Sequence, residues 1–238
     1  KTSSAASDVY KRQPMDVTYD SHLKLYRANL FAKELESELY HARASWSVFE
    51  AGNGVDEGDR AKLHELVNET HANHTFQHII RSAATMTVLS IARLSDVPKR
   101  QRYTIGGLKD AVEQSTDLLI ESAGNWFPEI EGRPERDRLW VSDEIQTLIG
   151  LIDYFLGSPE IERLRALRNE ALAHRLSIYT SRPTFNDIGW AFKKIHEIVS
   201  KASVVVTGTN WDPDDFYKAQ LTYANEFWDH FERGLADP

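Results

Sequence analysis

Apolar residues recur along most of this chain at helical spacing. From Asp20 to Glu50 they fall at Leu23, Tyr26, Leu30, Leu35, Leu39, Trp46 and Phe49, separated by three, four or near multiples of these. That period predicts a long amphipathic helix, ended by Ala51-Gly52-Asn53-Gly54. A second helical stretch is predicted from about Asp59 to Ser95. Its later half carries Phe76, Ile80, Ala83, Thr87 and Ile91 on one stripe, whereas Leu63, Leu66 and Val67 point elsewhere on the wheel, so a bend is expected near Thr70 to Asn73. Pro98 and the basic run Lys99-Arg100-Gln101-Arg102 close it. Thr104 is placed to cap a shorter helix reaching about Ser122, with Leu108, Ala111, Val112, Leu118 and Leu119 as its apolar side.

The segment Ala123–Arg136, rich in Gly, Pro and charge, reads as a loop, followed by a helix from about Arg138 to Leu156. Gly157-Ser158-Pro159-Glu160 is a stop and a restart, because serine caps well and proline suits the first turn. The helix so opened is expected to end between His174 and Pro183. Thr184 with Asp187 approximates a capping box for a helix to about Thr207, whose strand-like Val204-Val205-Val206 is too short to outweigh the helical pattern. Asp212-Pro213 begins a last helix ending near Gly234. Helices without alternating strands predict an all-α fold, a bundle of long antiparallel helices.

Composition narrows the function classes. The 238 residues are 41% hydrophobic and 27% charged, an ordinary globular balance. The most apolar window, Ala83 to Leu94, is far too short for a membrane span, and no secretory signal is visible. With no cysteine, disulfides, thiolate nucleophiles and cysteine-based zinc sites are excluded. A cytoplasmic location is expected, and Asn68-Glu69-Thr70 and Asn73-His74-Thr75 are read as chance sequons. The net charge of −8 lacks the broad basic footprint of a double-stranded DNA binder but leaves room for a local basic site. Residues 1–14, with Lys1–Gln13 rich in Ser and Ala and without period, are expected to be a non-native or disordered leader; the native chain is expected to start at Met15. The remainder, 15–238, is expected to form one helical domain.

One segment carries recognisable chemistry: Arg168-Asn169-Glu170-Ala171-Leu172-Ala173-His174, preceded by Arg163 and Arg165 and followed by Arg175. Arginine offers a permanent planar charge to a phosphate. Histidine exchanges a proton near neutrality, and asparagine can orient either. Together they suffice for metal-free RNA cleavage, in which a base takes the 2′-hydroxyl proton and a cation stabilises the crowded phosphate. On an α-helix, six positions put His174 about 120° around from Arg168. A shared stripe is thus excluded. The pair meets in one cleft only through the length of arginine, or through a second chain. The alternative is structural: an arginine in an interhelical salt bridge and a histidine at a helix end.

The segment Leu167–Arg175 resembles the Arg-x(4–6)-His signature of the HEPN superfamily, and in particular its abortive-infection, AbiU-type members. Leu66-Val67-Asn68-Glu69-Thr70 and Leu89–Asp96, which ends in an Arg-Leu-x-Asp turn, are similar to earlier helices of that group. The resemblance implies a HEPN-like bundle that dimerises through the motif helix and joins two motifs into one site. It implies Arg168 and His174 as catalytic residues, Asn169 as their polar support, and Arg165 and Arg175 as guides for RNA. It also implies a metal-independent endoribonuclease of a phage-defence or toxin–antitoxin type, with RNA, a second copy of the chain and a possible antitoxin or other partner protein as its partners. Not all HEPN proteins are nucleases, so the alternative is a non-catalytic helical dimer that binds nucleotide, RNA or a partner protein. The tyrosine that some HEPN toxins carry two residues after the histidine is replaced by Leu176, with Tyr179 the nearest tyrosine.

Two further clusters are read more plainly. His64, His71, His74 and His78 fall within roughly an 80° sector if they share one helix. They lie opposite the apolar stripe, which points to a solvated or interface face rather than a metal site; no metal and no cofactor is expected. The tryptophans Trp46, Trp126, Trp140, Trp190, Trp211 and Trp228 are read as packing residues, since Trp211 and Trp228 have acidic rather than basic neighbours.

Overall fold

The computed structural model describes residues 19–54, 60–98, 103–126, 130–173, 183–209 and 213–236. The leader and Met15 lie outside them. The described residues form eight α-helices and no strand: α1 (Tyr19–Asn53), α2 (Ala61–Glu69), α3 (Asn73–Leu94), α4 (Ile105–Ala123), α5 (Arg133–Leu156), α6 (Pro159–Leu167), α7 (Phe185–Thr207) and α8 (Pro213–Ala236). A π-helical stretch, Arg168–Ala173, continues α6. None of these helices is long and apolar enough to cross a membrane.

The 35-residue α1 is about 52 Å long and is the axis of the bundle, with α3, α8, α4 and α7 packed around it. It therefore buries residues on several sides: Ala28, Phe31, Ala32, Leu35, Leu39, Ala42, Trp46 and Phe49. This corrects the expected stripe at its start. Leu23 and Tyr26 are 51% and 59% exposed, because the first buried turn is built from Ala28 and Phe31 instead. The absence of a side chain at Gly107 lets α4 come close to Phe31. A Cβ on Gly107 would clash with the Phe31 ring.

The ends of the helices follow local chemistry. Gly54 takes φ 68° just past α1, a conformation glycine adopts without a Cβ clash. The bend expected near Thr70 is a complete break, with Thr70 extended between α2 and α3. The Thr104 hydroxyl accepts the Gly107 amide at 3.1 Å. Helix α5 starts at Arg133, within the expected loop, because Gly132 at φ 68° turns the chain and Pro134 occupies the first helical turn where its missing N–H costs nothing. Val204-Val205-Val206 is helical. The Asp212 start of α8 lies outside the described residues.

Two buried groups fix α8 along α1. Trp228 is fully buried, donates its indole N–H to the Val48 carbonyl at 2.9 Å and meets the Phe76 ring edge-on at 5.2 Å. Gly52 makes room for it, since a Cβ there would stand 2.8 Å from the indole. Arg60 is a buried cation whose guanidinium has polar partners: Asp229 at 2.5 Å, the Asn225 side chain at 2.8 Å and the Ala51 carbonyl at 3.1 Å. A buried charge is tolerable only with such partners. Replacing Trp228 with alanine is expected to cost about 3–5 kcal/mol, read as a lower urea midpoint. An unchanged midpoint would show that α8 is not held through this residue.

Candidate functional site

The site grows from the C-terminal end of α3. Helix ends leave carbonyls without intrahelical partners, and here two arginines from α6 and its continuation supply them. Ser95 is fully buried and donates its hydroxyl to the Ala92 carbonyl at 2.9 Å. Arg165 donates Nε to the Ser95 hydroxyl at 3.1 Å, Nη2 to the Ser95 carbonyl, and Nη1 to the Leu156 carbonyl at 3.3 Å. One guanidinium thus closes the ends of both α3 and α5. Burial pushes its pKa down, the charge of Asp96 pulls it back up, and the charge of Arg168 adds to the lowering.

Arg168 lies one turn further on. Its Nη1 meets the Asp96 carboxylate at 2.6 Å and the Ala92 carbonyl at 3.4 Å. Its Nε and Nη2 both donate to the Asn169 side-chain oxygen, at 3.2 and 3.1 Å. The fork is therefore held on one side by a carboxylate and on the other by an amide, while 23% of the arginine side chain stays accessible. Arg168 forms part of the wall of a cleft of about 580 Å³, with Arg93, Asp96, Tyr103, Met86 and Glu38 among its other lining residues. Arg93 is ion-paired with Glu38 across the same cleft.

The backbone at this point departs from the expected α-helix. Helix α6 ends at Leu167, and Arg168–Ala173 is π-helical. In a π-helix the bonds run to the fifth residue and the turn is wider, so each residue rotates by less than the 100° used for the 120° divergence. That angle does not apply here. His174, Arg175, Leu176 and Tyr179 lie outside the described residues.

On the far side, α6 is tied to α7. Ser158 caps α6 through the Ile161 amide. Arg163 binds the buried Asp187 carboxylate through two nitrogens. Asp187 is also half of the expected capping box, accepting the Thr184 amide at 2.6 Å while its own amide donates to the Thr184 hydroxyl at 3.3 Å. The helix start and the motif helix therefore share one carboxylate.

Of the residues that the sequence points to, Arg165, Arg168 and Asn169 are described, with both arginines at the C-terminal end of α3 and Asn169 bound to Arg168. The sequence does not single out Asp96 or Arg93 as site residues. Their signal is the Arg93-Leu94-Ser95-Asp96 turn, which marks a likeness in the sequence but does not itself point to the motif 72 positions later. The histidine series is not one face. His64 sits on α2, with Nε2 3.2 Å from the Gly52 carbonyl and its ring edge-on to Phe76. His71 precedes α3, and His74 and His78 are exposed on it. Among the described residues no three His, Asp or Glu side chains are grouped to hold a metal. Of the tryptophans, Trp46 and Trp228 are buried, Trp126 and Trp190 pack against the core, and Trp140 is exposed beside Trp126. Trp211 lies outside the described residues.

A family model described as AbiU2, of the HEPN proteins, matches residues 28–227, well over half of the chain. No curated protein and no solved structure matches it.

The Arg163–Asp187 pair has a pH consequence. Hydrogen bonds from Arg163, opposed by burial and aided by Thr184, hold the Asp187 carboxyl below its ordinary value. A depressed carboxyl stabilises the fold above the unfolded-state pKa, about 3.9 for aspartate, and that stabilisation is lost as pH falls through the lower folded value. Asp187→Asn is expected to be less stable than wild type at pH 7, with the gap closing below about pH 4. A gap that is constant from pH 7 to 3, measured by thermal melts, would contradict it.

Proposed function

The chain belongs to the AbiU2 family of HEPN proteins, and we propose that it is one half of a metal-independent endoribonuclease with a defence role. In this reading Arg168 holds the scissile phosphate, His174 moves the proton, and Asn169 orients the guanidinium. The observation that carries it is the state of Arg168: clamped by Asp96 and Asn169 yet open to a cleft. An arginine so fixed pays little ordering cost when a phosphate arrives, which is the condition for electrostatic stabilisation of a transition state.

The chemistry needs no cofactor. A base takes the proton of the ribose 2′-hydroxyl, the oxygen attacks the adjacent phosphorus, and the P–O5′ bond breaks. The leaving 5′-oxygen takes a proton from the acid form of the histidine, leaving a 2′,3′-cyclic phosphate and a 5′-hydroxyl. None of the described residues lining the cleft is a histidine. The proton-transfer group in this reading is His174 of the same chain or of a second copy, which is the reason to propose a homodimer with a composite site. Arg165 has its donors engaged by two helix ends, so its role here is to position the motif, with RNA guidance left to Arg175.

One observation favours the second reading, a non-catalytic helical dimer that binds RNA, nucleotide or a partner protein. The charge of Arg168 is already matched by Asp96 within one chain. The two readings separate in a single assay. Purified protein is expected to cleave single-stranded RNA in excess EDTA, leaving cyclic phosphate ends. His174→Ala and Arg168→Ala are each expected to lower the rate by at least about 100-fold, with the helical circular dichroism retained. Cleavage at an undiminished rate in folded His174→Ala would overturn the catalytic assignment.

A further inference from the structure

The cleft beside Arg168 holds more than a phosphate requires. Its volume of about 580 Å³ falls within the range of small-molecule sites. Two of its lining residues are cations, Arg168 and Arg93, and three are apolar or aromatic, Met86, Leu89 and Tyr103. Tyr103 stands just before α4 and is 36% exposed. Its ring is fixed from behind: it meets Phe31 edge-on, with centroids 5.2 Å apart and planes at 76°. Phe31 in turn is wedged against Gly107. An aromatic that is rigid on one side and open on the other is a stacking platform that costs little entropy to use. Met86, 52% exposed, is a polarisable side chain on the same cleft, suited to lie against a flat ring.

Arg93 supplies the second charge. In its pair with Glu38 the Arg93 side chain is 51% and the Glu38 side chain 26% accessible, and ion pairs open to solvent contribute little. A phosphodiester can therefore exchange for the Glu38 carboxylate. The sequence adds a separate indication. Tyr103 directly follows Lys99-Arg100-Gln101-Arg102, a cation-rich run next to an aromatic, which is the pattern of single-strand binding surfaces and runs against the chain's overall charge of −8.

We infer that this cleft is a nucleotide subsite for single-stranded RNA: Tyr103 stacks an unpaired base, and Arg93 takes the phosphate flanking the one held by Arg168. The inference rests on the reading of Arg168 as a phosphate ligand. It excludes duplex RNA as the preferred substrate, because a base stacked within a helix does not offer its face to a side chain. Tyr103 is thus a binding residue for the substrate, with no part in proton transfer.

The test uses a labelled single-stranded oligonucleotide with every 2′-hydroxyl methylated, which binds but has no nucleophile to cleave. Its affinity is measured by fluorescence anisotropy on the full chain. Tyr103→Leu keeps apolar contact with Phe31 but loses the ring face, and it is expected to weaken binding roughly tenfold. Tyr103→Phe is expected to bind like wild type. Arg93→Gln is expected to reduce the slope of log affinity against log salt by about one. Wild-type affinity in Tyr103→Leu, or tighter binding of the duplex form of the same probe, would overturn the subsite. The probe cannot be cut, so this result is independent of catalysis. Normal probe binding by Tyr103→Leu, with cleavage abolished in His174→Ala, removes the subsite and keeps the nuclease. The converse pair of results removes the nuclease and keeps the subsite.

Discussion

Everything in the candidate site depends on how the unfinished end of α3 is closed. A helix terminus buried in a bundle leaves carbonyls that must find donors. Here the donors come from arginines on the next-but-two helix. Arg165 saturates the Ser95 carbonyl and hydroxyl and reaches the end of α5. With that junction made, Arg168 arrives beside Asp96 and the Ala92 carbonyl. The cation nearest the buried helix ends is the structural one, and the cation one turn further out faces the cleft. One requirement of backbone chemistry therefore divides two similar residues into an arginine that closes helix ends and one that faces the cleft.

The bundle around this junction is what keeps it rigid. Helix α1 carries α3, α4, α7 and α8 on its sides, and α6 is fastened to α7 through Arg163 and Asp187. The capping box at Thr184 uses the same carboxylate, so the start of α7 and the direction of α6 are set together. Shared polar groups of this kind couple local and tertiary structure, which is the mark of a consistent fold.

Much of this was legible in the residues. The helical stretches follow from apolar spacing and from caps at Thr104, Ser158 and Thr184, although the bend expected near Thr70 is a break that divides one stretch into α2 and α3. The likeness to HEPN proteins, carried by Leu167–Arg175 and two earlier segments, agrees with the family match over residues 28–227. What was not legible has physical causes. Leu23 and Tyr26 fit the period of α1 as well as the buried residues do, and only the neighbour across the interface decides between them. Helix α5 begins at Arg133 because proline is a helix starter as well as a loop residue. The π-helical stretch that begins at Arg168 has no marker in the apolar spacing. The partnership of Asp96 with Arg168 spans 72 positions, and no local pattern reports such a distance.

The central claim is that a single chain presents half of a site. Mixing subunits tests it most directly. Arg168→Ala and His174→Ala chains, each inactive alone, are unfolded together, refolded and assayed on single-stranded RNA in EDTA. A site shared between two copies predicts that the mixture cleaves measurably faster than either parent, because mixed dimers regain one arginine and one histidine. A mixture that forms dimers and stays as inactive as its parents would contradict the account.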